Sequence, residues 1–209
     1  MRKKKFYFIV FEGVEGTGKT YQINKLYNKL KNKNFNIIKT REPGGNPTAE
    51  KIRNLIFSKK SDQLDSLTDF FLMCAARNEH VKKLLLVAKK RKQVVLCDRF
   101  TDSTYAYQVI GNKINNDLNE LNQSYILKGL KPNMTIVLKS NFDVIFSRIK
   151  KRRKKLNKFD KLKINFYKKA QNALINKAKN NTSYLVFDSS KNTPDLQQDI
   201  FKHVIKKIS

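Results

Sequence analysis

Cysteine is almost absent from this 209-residue sequence: only Cys74 and Cys97 occur. Both fall in apolar runs expected to be helix and strand, which excludes a disulfide framework and a cysteine metal site and fits a reducing cytoplasm. Acidic residues are also scarce, 17 against 45 lysines and arginines, for a formal net charge of +28. No apolar segment is long enough to span a bilayer, so a membrane partner is not expected. The basic start before residues 6–11 superficially resembles a signal peptide, yet the run continues without a small-residue cleavage site, so it is read as a first strand. With 40% hydrophobic residues the chain has enough apolar material for a proper core, which argues against global disorder.

The seven glycines are few, and their positions are informative. Three lie in Gly13-Val14-Glu15-Gly16-Thr17-Gly18-Lys19-Thr20, a match to G-x-x-x-x-G-K-[ST] set between an apolar strand and a helix start. Backbone N–H groups of such a loop cradle phosphate oxygens at a helix N-terminus. Lys19 reaches the β and γ phosphates, and the Thr20 hydroxyl can hold Mg²⁺. Gly44 and Gly45 follow in a second cluster, and all five are expected where backbone lies close to a ligand.

Apolar runs at 6–11, 36–40, 94–97, 134–139 and 184–188 alternate with segments of helical spacing at 19–33, 48–58, 64–91, 103–110, 115–129, 142–153, 164–180 and 194–207. This alternation predicts an α/β fold, a phosphate-loop NTPase-type parallel five-stranded sheet with helices on both faces. Without a linker or an internal repeat, residues 1–209 are expected to form a single domain. Ligands in such sheets bind beyond the carboxyl ends of the strands, where the remaining motifs fall. Thr40-Arg41-Glu42-Pro43-Gly44-Gly45 follows the second strand, and its bend and arginine suit a phosphate monoester. Asp98-Arg99 follows the third, placing an acid as a second Mg²⁺ contact, usually through water, beside a cation.

Together with Ala75-Ala76-Arg77 and the run from Asp98 through Phe100, Thr101, Asp102, Ser103, Thr104, Tyr105 and Ala106 to Tyr107-Gln108, these segments resemble the thymidylate kinase family in order and spacing. The resemblance covers essentially the whole chain. It implies an enzyme that passes the γ-phosphoryl of MgATP to dTMP, with ATP and dTMP as ligands. It further implies that Glu15 reads the deoxyribose 3′-hydroxyl, Arg41 and Arg99 hold the acceptor phosphate, Arg77 bonds the thymine edge, and Ser103, Tyr107 and Gln108 flank sugar and base. Met73 stands where the family usually has a stacking aromatic, a role its polarizable sulfur or a rotated Phe70 or Phe71 could take over. A lid is expected near residues 148–162, where Arg148, Lys150 and Arg152, and later Lys158, replace the family's arginine pattern. Arg152 or Arg153 with Lys158 would then neutralise the transferring phosphoryl group. A homodimer is also implied.

Two other readings stand beside this one. A phosphate loop alone does not select a substrate, so another pyrimidine nucleoside monophosphate kinase fits the same loop. The basic balance is the footprint of a nucleic-acid binder, but the positive residues are spread over most helices and lysine outnumbers arginine. A solvated basic surface, with no specific nucleic-acid partner, is the expectation.

Overall fold

A computed structural model describes residues 5–58, 64–151, 159–190 and 194–209. Five strands, β1 (Tyr7–Glu12), β2 (Ile37–Arg41), β3 (Val94–Asp98), β4 (Met134–Lys139) and β5 (Tyr184–Asp188), form one sheet in the order β2-β3-β1-β4-β5. Every neighbouring pair is parallel, as the alternation of strands and helices predicts. The helices are α1 (Lys19–Lys31), α2 (Pro47–Ile56), α3 (Ser66–His80), α4 (Leu86–Lys90), α5 (Thr101–Thr104), α6 (Asn116–Leu127), α7 (Phe142–Lys150), α8 (Ile164–Ala178) and α9 (Pro194–Ile208).

The central strand shows why both faces are covered. Side chains alternate along a strand, so β1 sends Ile9 and Phe11 to one face and Phe8 and Val10 to the other. The first pair packs with Ile23, Leu26 and Leu30 of α1 and with Leu196, Ile200 and Val204 of α9. The second packs with Phe70 and Cys74 of α3 and with Ile126 of α6. A further cluster joins Val137 to α7 and α8 through Ile145, Ile149, Tyr167 and Leu174.

Helix boundaries follow the capping residues. Asn46 accepts from the N–H groups of Thr48 and Ala49 with Pro47 in the first helical position, so α2 begins one residue before the apolar spacing suggests. Asp65 caps α3 and Asn115 caps α6 in the same way. The long helix expected over 64–91 is continuous in space but widens to π-helical geometry over Val81–Leu85 between α3 and α4. A second π-helical stretch, Tyr105–Gly111, continues α5. Its start is set from across the sheet: the Glu12 carboxylate, at the end of β1, accepts from the N–H groups of Phe100 and Ser103 at 2.8 and 3.2 Å.

No described helix is long and apolar enough to cross a membrane.

Candidate active site

Three strands end together at the phosphate loop. Register places Arg41 of β2 beside Asp98 of β3, and Asp98 beside Phe11 of β1. The loop folds over the sheet end. Thr17 donates to the Val14 carbonyl at 2.8 Å, and Val14 is buried in the cluster that includes Ile145. Two of the loop glycines are also required by the protein's own backbone. A Cβ on Gly13 would lie 2.5 Å from the Leu138 carbonyl oxygen, and one on Gly16 would lie 2.7 Å from that of Ile145. Gly18 caps α1 with φ of 87° and no side-chain bond, so the first N–H groups of α1 carry no side-chain cap, unlike those of α2, α3 and α6. That end suits phosphate oxygens.

Lys19 is buried, and its Nζ donates to the Gly13 and Val14 carbonyls at 2.7 and 3.0 Å. Burial, reinforced by the nearby Arg99 charge, pushes its ammonium down to about 8. The Thr20 hydroxyl donates to Asp98 Oδ2 at 2.7 Å, so the two proposed Mg²⁺ contacts are already adjacent oxygen groups.

Beside this pair opens a cavity of about 700 Å³. Lys19, Thr20 and Asp98 line it, as do Glu15, Arg41, Met73, Arg77, Arg99, Ser103, Tyr107 and Gln108, the acceptor-site residues expected from sequence. Arg99 sits at φ of 72°, and its guanidinium donates to Ser103 Oγ at 2.9 Å and to Glu15 Oε1 at 2.6 Å. The other oxygen of Glu15 accepts the Tyr107 hydroxyl, and Arg99 lies over the Tyr107 ring. Burial would raise the Glu15 carboxyl, but Arg99 and Lys19 hold it below its ordinary value. Burial likewise opposes the charge on Arg99, yet Glu15 raises its affinity for the proton. Behind them Ser103 Oγ donates to Glu12 Oε2 at 2.5 Å, and burial together with Asp102 pushes Glu12 up to about 7.

Arg41 is half-exposed and paired to Glu50 Oε2 at 2.9 Å; Glu50 Oε1 also accepts the Gly45 N–H at 3.0 Å. Arg77 is fully enclosed. Its Nε donates to Glu42 Oε2 at 2.7 Å, and its Nη2 donates to the Phe100 carbonyl at 3.0 Å and to Thr104 Oγ1 at 2.9 Å. Arg77 Nη1 is buried and has no hydrogen-bond partner among the described residues.

Met73 is buried at the cavity wall, where the resemblance places the base. Neither Phe70 nor Phe71 takes its place: Phe70 is locked in the core, and Phe71 is exposed. The rings at the cavity are Phe57, Phe100, Tyr107 and Phe159, with Phe159 packed edge-on to both Phe57 and Tyr107. Gln108 is buried in the π-helical stretch. Of the segment expected as a lid, Arg148 lies in α7 and donates to the carbonyls of Gly16 and Ser189. Arg152, Arg153 and Lys158 lie outside the described residues.

Sequence reasoning passed over Arg53, His80 and Glu50. Arg53 lines the cavity, donates to the Pro43 carbonyl at 2.7 Å and stacks on Phe57; burial and the neighbouring Arg41 push it down to about 10. The apolar spacing of α2 gives no sign of this, because an arginine on a helix is ordinarily a surface residue. His80 is completely buried, with Nδ1 at 2.8 Å from Glu42 Oε1 and Nε2 at 2.8 Å from Thr40 Oγ1. Only Ala76 and Leu84, one helical turn to either side, hint at burial.

An uncapped helix at a glycine-rich loop, a hydroxyl–carboxylate pair and an arginine-lined cavity define a phosphate-loop nucleotide kinase. The family profile described as Thymidylate kinase matches residues 11–200. The thymidylate kinase of Mycoplasma capricolum is 34% identical over 96% of this chain and 95% of its own length. That of Acinetobacter baylyi is 39% identical over 78% and 81%, respectively. The crystal structure of thymidylate kinase from Ehrlichia chaffeensis superimposes with a TM-score of 0.76 at 29% identity, covering 98% of this chain and all of that one. The chain belongs to the thymidylate kinase family, whose members are nucleoside monophosphate kinases.

Proposed function

We propose that the protein transfers the γ-phosphoryl group of ATP to the 5′-phosphate of dTMP, giving dTDP and ADP for dTTP synthesis. The carrying observation is that one cavity is lined both by the Thr20–Asp98 pair at the phosphate loop and by Arg77, whose Nη1 has no hydrogen-bond partner among the described residues. The first end suits a phosphate donor and the second an acceptor with a carbonyl-bearing base.

Lys19 and the loop N–H groups bind the donor phosphates. Thr20 and Asp98 would hold Mg²⁺, which would supply charge neutralisation when bound. Arg41 and Arg99 hold the acceptor phosphate, with Glu15 and Tyr107 at the sugar. Arg77, Gln108 and Met73 meet the base. Within a single domain, Arg152 or Arg153 with Lys158, of the 148–162 segment expected as a lid, would supply the cations that neutralise the transferring group. Catalysis is then positioning and electrostatic stabilisation.

A homodimer fits the exposed apolar residues Leu67 and Phe71 of α3 and Leu121 and Tyr125 of α6, two helices that pack together. The free buried cysteines are in keeping with the cytoplasm.

ADP release from MgATP with dTMP, dUMP, UMP, CMP or thymidine as separate acceptors tests the assignment. Preference for dTMP is expected; equal rates across the monophosphates would overturn the substrate, and no transfer to any acceptor would overturn the activity.

A further inference from the structure

We propose that Glu42, braced by His80, is a positioning residue that makes Arg77 a reader of a neutral pyrimidine edge instead of a ligand for phosphate. The inference rests on the dTMP reading above and adds the residues that set its selectivity.

The cavity presents Lys19, Arg41, Arg53 and Arg99 as well as Arg77. A buried guanidinium without a counter-ion attracts a dianionic phosphate over several ångströms, since charge–charge interactions fall off slowly in a poorly solvated site. Arg77 differs in its surroundings from Arg41 and also from Arg99, whose pair with Glu15 keeps 17% and 11% of its side chains exposed. Arg77 Nε meets an enclosed carboxylate at 2.7 Å, with side chains of both partners almost wholly removed from solvent. Arg41 meets Glu50 with about half of its own side chain exposed, so solvent screens that pair and its charge stays open to a phosphate.

Glu42 therefore cancels the charge of Arg77 while leaving Nη1 unpaired. What remains is a fixed pair of N–H donors in a nearly neutral unit. Such a unit favours a carbonyl oxygen, as thymine offers at position 4, and leaves a donor facing a donor where cytosine carries an amino group. Burial would raise the Glu42 carboxyl, but Arg77 and His80 keep it below its ordinary value, and Glu42 in turn raises Arg77.

His80 fixes the carboxylate plane. An ionised Glu42 only accepts, so His80 Nδ1 carries the proton in their 2.8 Å contact, and Nε2 is tethered to Thr40 of β2. The ring also fills the space beside Gly45, where a Cβ would lie 2.8 Å from Nε2. The support for base reading is thus built into the same bend that carries Arg41.

The test compares binding of dTMP with binding of 2-deoxyribose 5-phosphate, which has the phosphate and sugar but no base, by calorimetry on the full chain. In Glu42→Gln the carboxylate that offsets Arg77 becomes a neutral amide: its oxygen still accepts from Arg77 Nε but without the charge, and its NH2 faces His80 Nδ1, which accepts only if the ring moves its proton to Nε2. The dTMP dissociation constant should rise about tenfold to a hundredfold, the range for a lost hydrogen bond to a charged group. The base-free ligand should bind as before or more tightly, and in turnover KM for dTMP should rise far more than kcat falls. Thr104→Val removes one acceptor from Arg77 and spares the Glu42–His80 contact; it should weaken dTMP alone, and serves if Glu42→Gln does not fold. Equal weakening of both ligands in folded variants, or no change in either, overturns the proposal. A wild-type protein that binds dTMP no better than the base-free ligand overturns the dTMP reading itself, before any variant is made.

Discussion

At the scale of single residues, the site is organised by buried carboxylates more than by its cations. Glu12 caps α5 from the end of β1, accepts the Ser103 hydroxyl, and thereby backs the residue that receives Arg99. Its carboxyl is raised from an ordinary 4.5 to about 7, so the folded state binds this proton more tightly than the unfolded chain. The stability contribution is then greatest below 4.5 and is lost as pH rises through about 7. Relative to Glu12→Gln, the wild type should lose stability as pH increases across that window, read from urea midpoints; a pH-independent difference would show that Glu12 is not protonated in the fold. The motifs of the candidate site were visible in the sequence because their spacing is local, as in the phosphate loop. Glu42, His80 and Arg77 were not visible as a unit, because their partnership joins a strand end to a helix 35 residues further along. Arg53 escaped notice because an arginine on an amphipathic helix carries no mark of burial.

At the scale of elements, strands were legible because a parallel sheet buried on both faces demands continuous apolar runs. All five expected strands formed, with edges shifted by about a residue where polar ends such as Glu12 and Arg41 still pair. The π-helical widening over Val81–Leu85 and Tyr105–Gly111 was illegible, since a one-residue change in hydrogen-bond partner leaves the apolar face nearly unchanged. α2 shows how an ordinary cap serves the site. It carries Glu50, which holds Arg41 and Gly45, and Arg53, which holds Pro43. Asn46 accepts two N–H groups at its start. Asn46→Ala should cost about 1 kcal/mol in denaturant unfolding, typical of a lost N-cap. It should also raise KM for dTMP, because Arg41 and the Pro-Gly-Gly bend lose a firm support; an unchanged KM would show that the bend holds itself.

At the scale of the whole molecule, the net charge of +28 and the exposed apolar residues of α3 and α6 would act against each other in the proposed homodimer. Two copies brought together through Leu67, Phe71, Leu121 and Tyr125 gain from apolar burial and lose from mutual repulsion. The proposed dimer should therefore tighten, not weaken, as salt rises from roughly 30 to 300 mM, where the screening length shortens from about 18 to about 6 Å. Sedimentation equilibrium reads this directly, and Tyr125→Glu should yield a monomer at either salt; a dimer that loosens with salt would place ion pairs at its centre. The enclosed Glu42–Arg77 pair also constrains how such a chain can change over descent. Replacing either member alone strands a charge in the interior, a loss of about 3–5 kcal/mol and a large share of an ordinary domain's stability. The two positions are therefore expected to change together or not at all, and a lineage that adopts a different base must cross that barrier in a paired step.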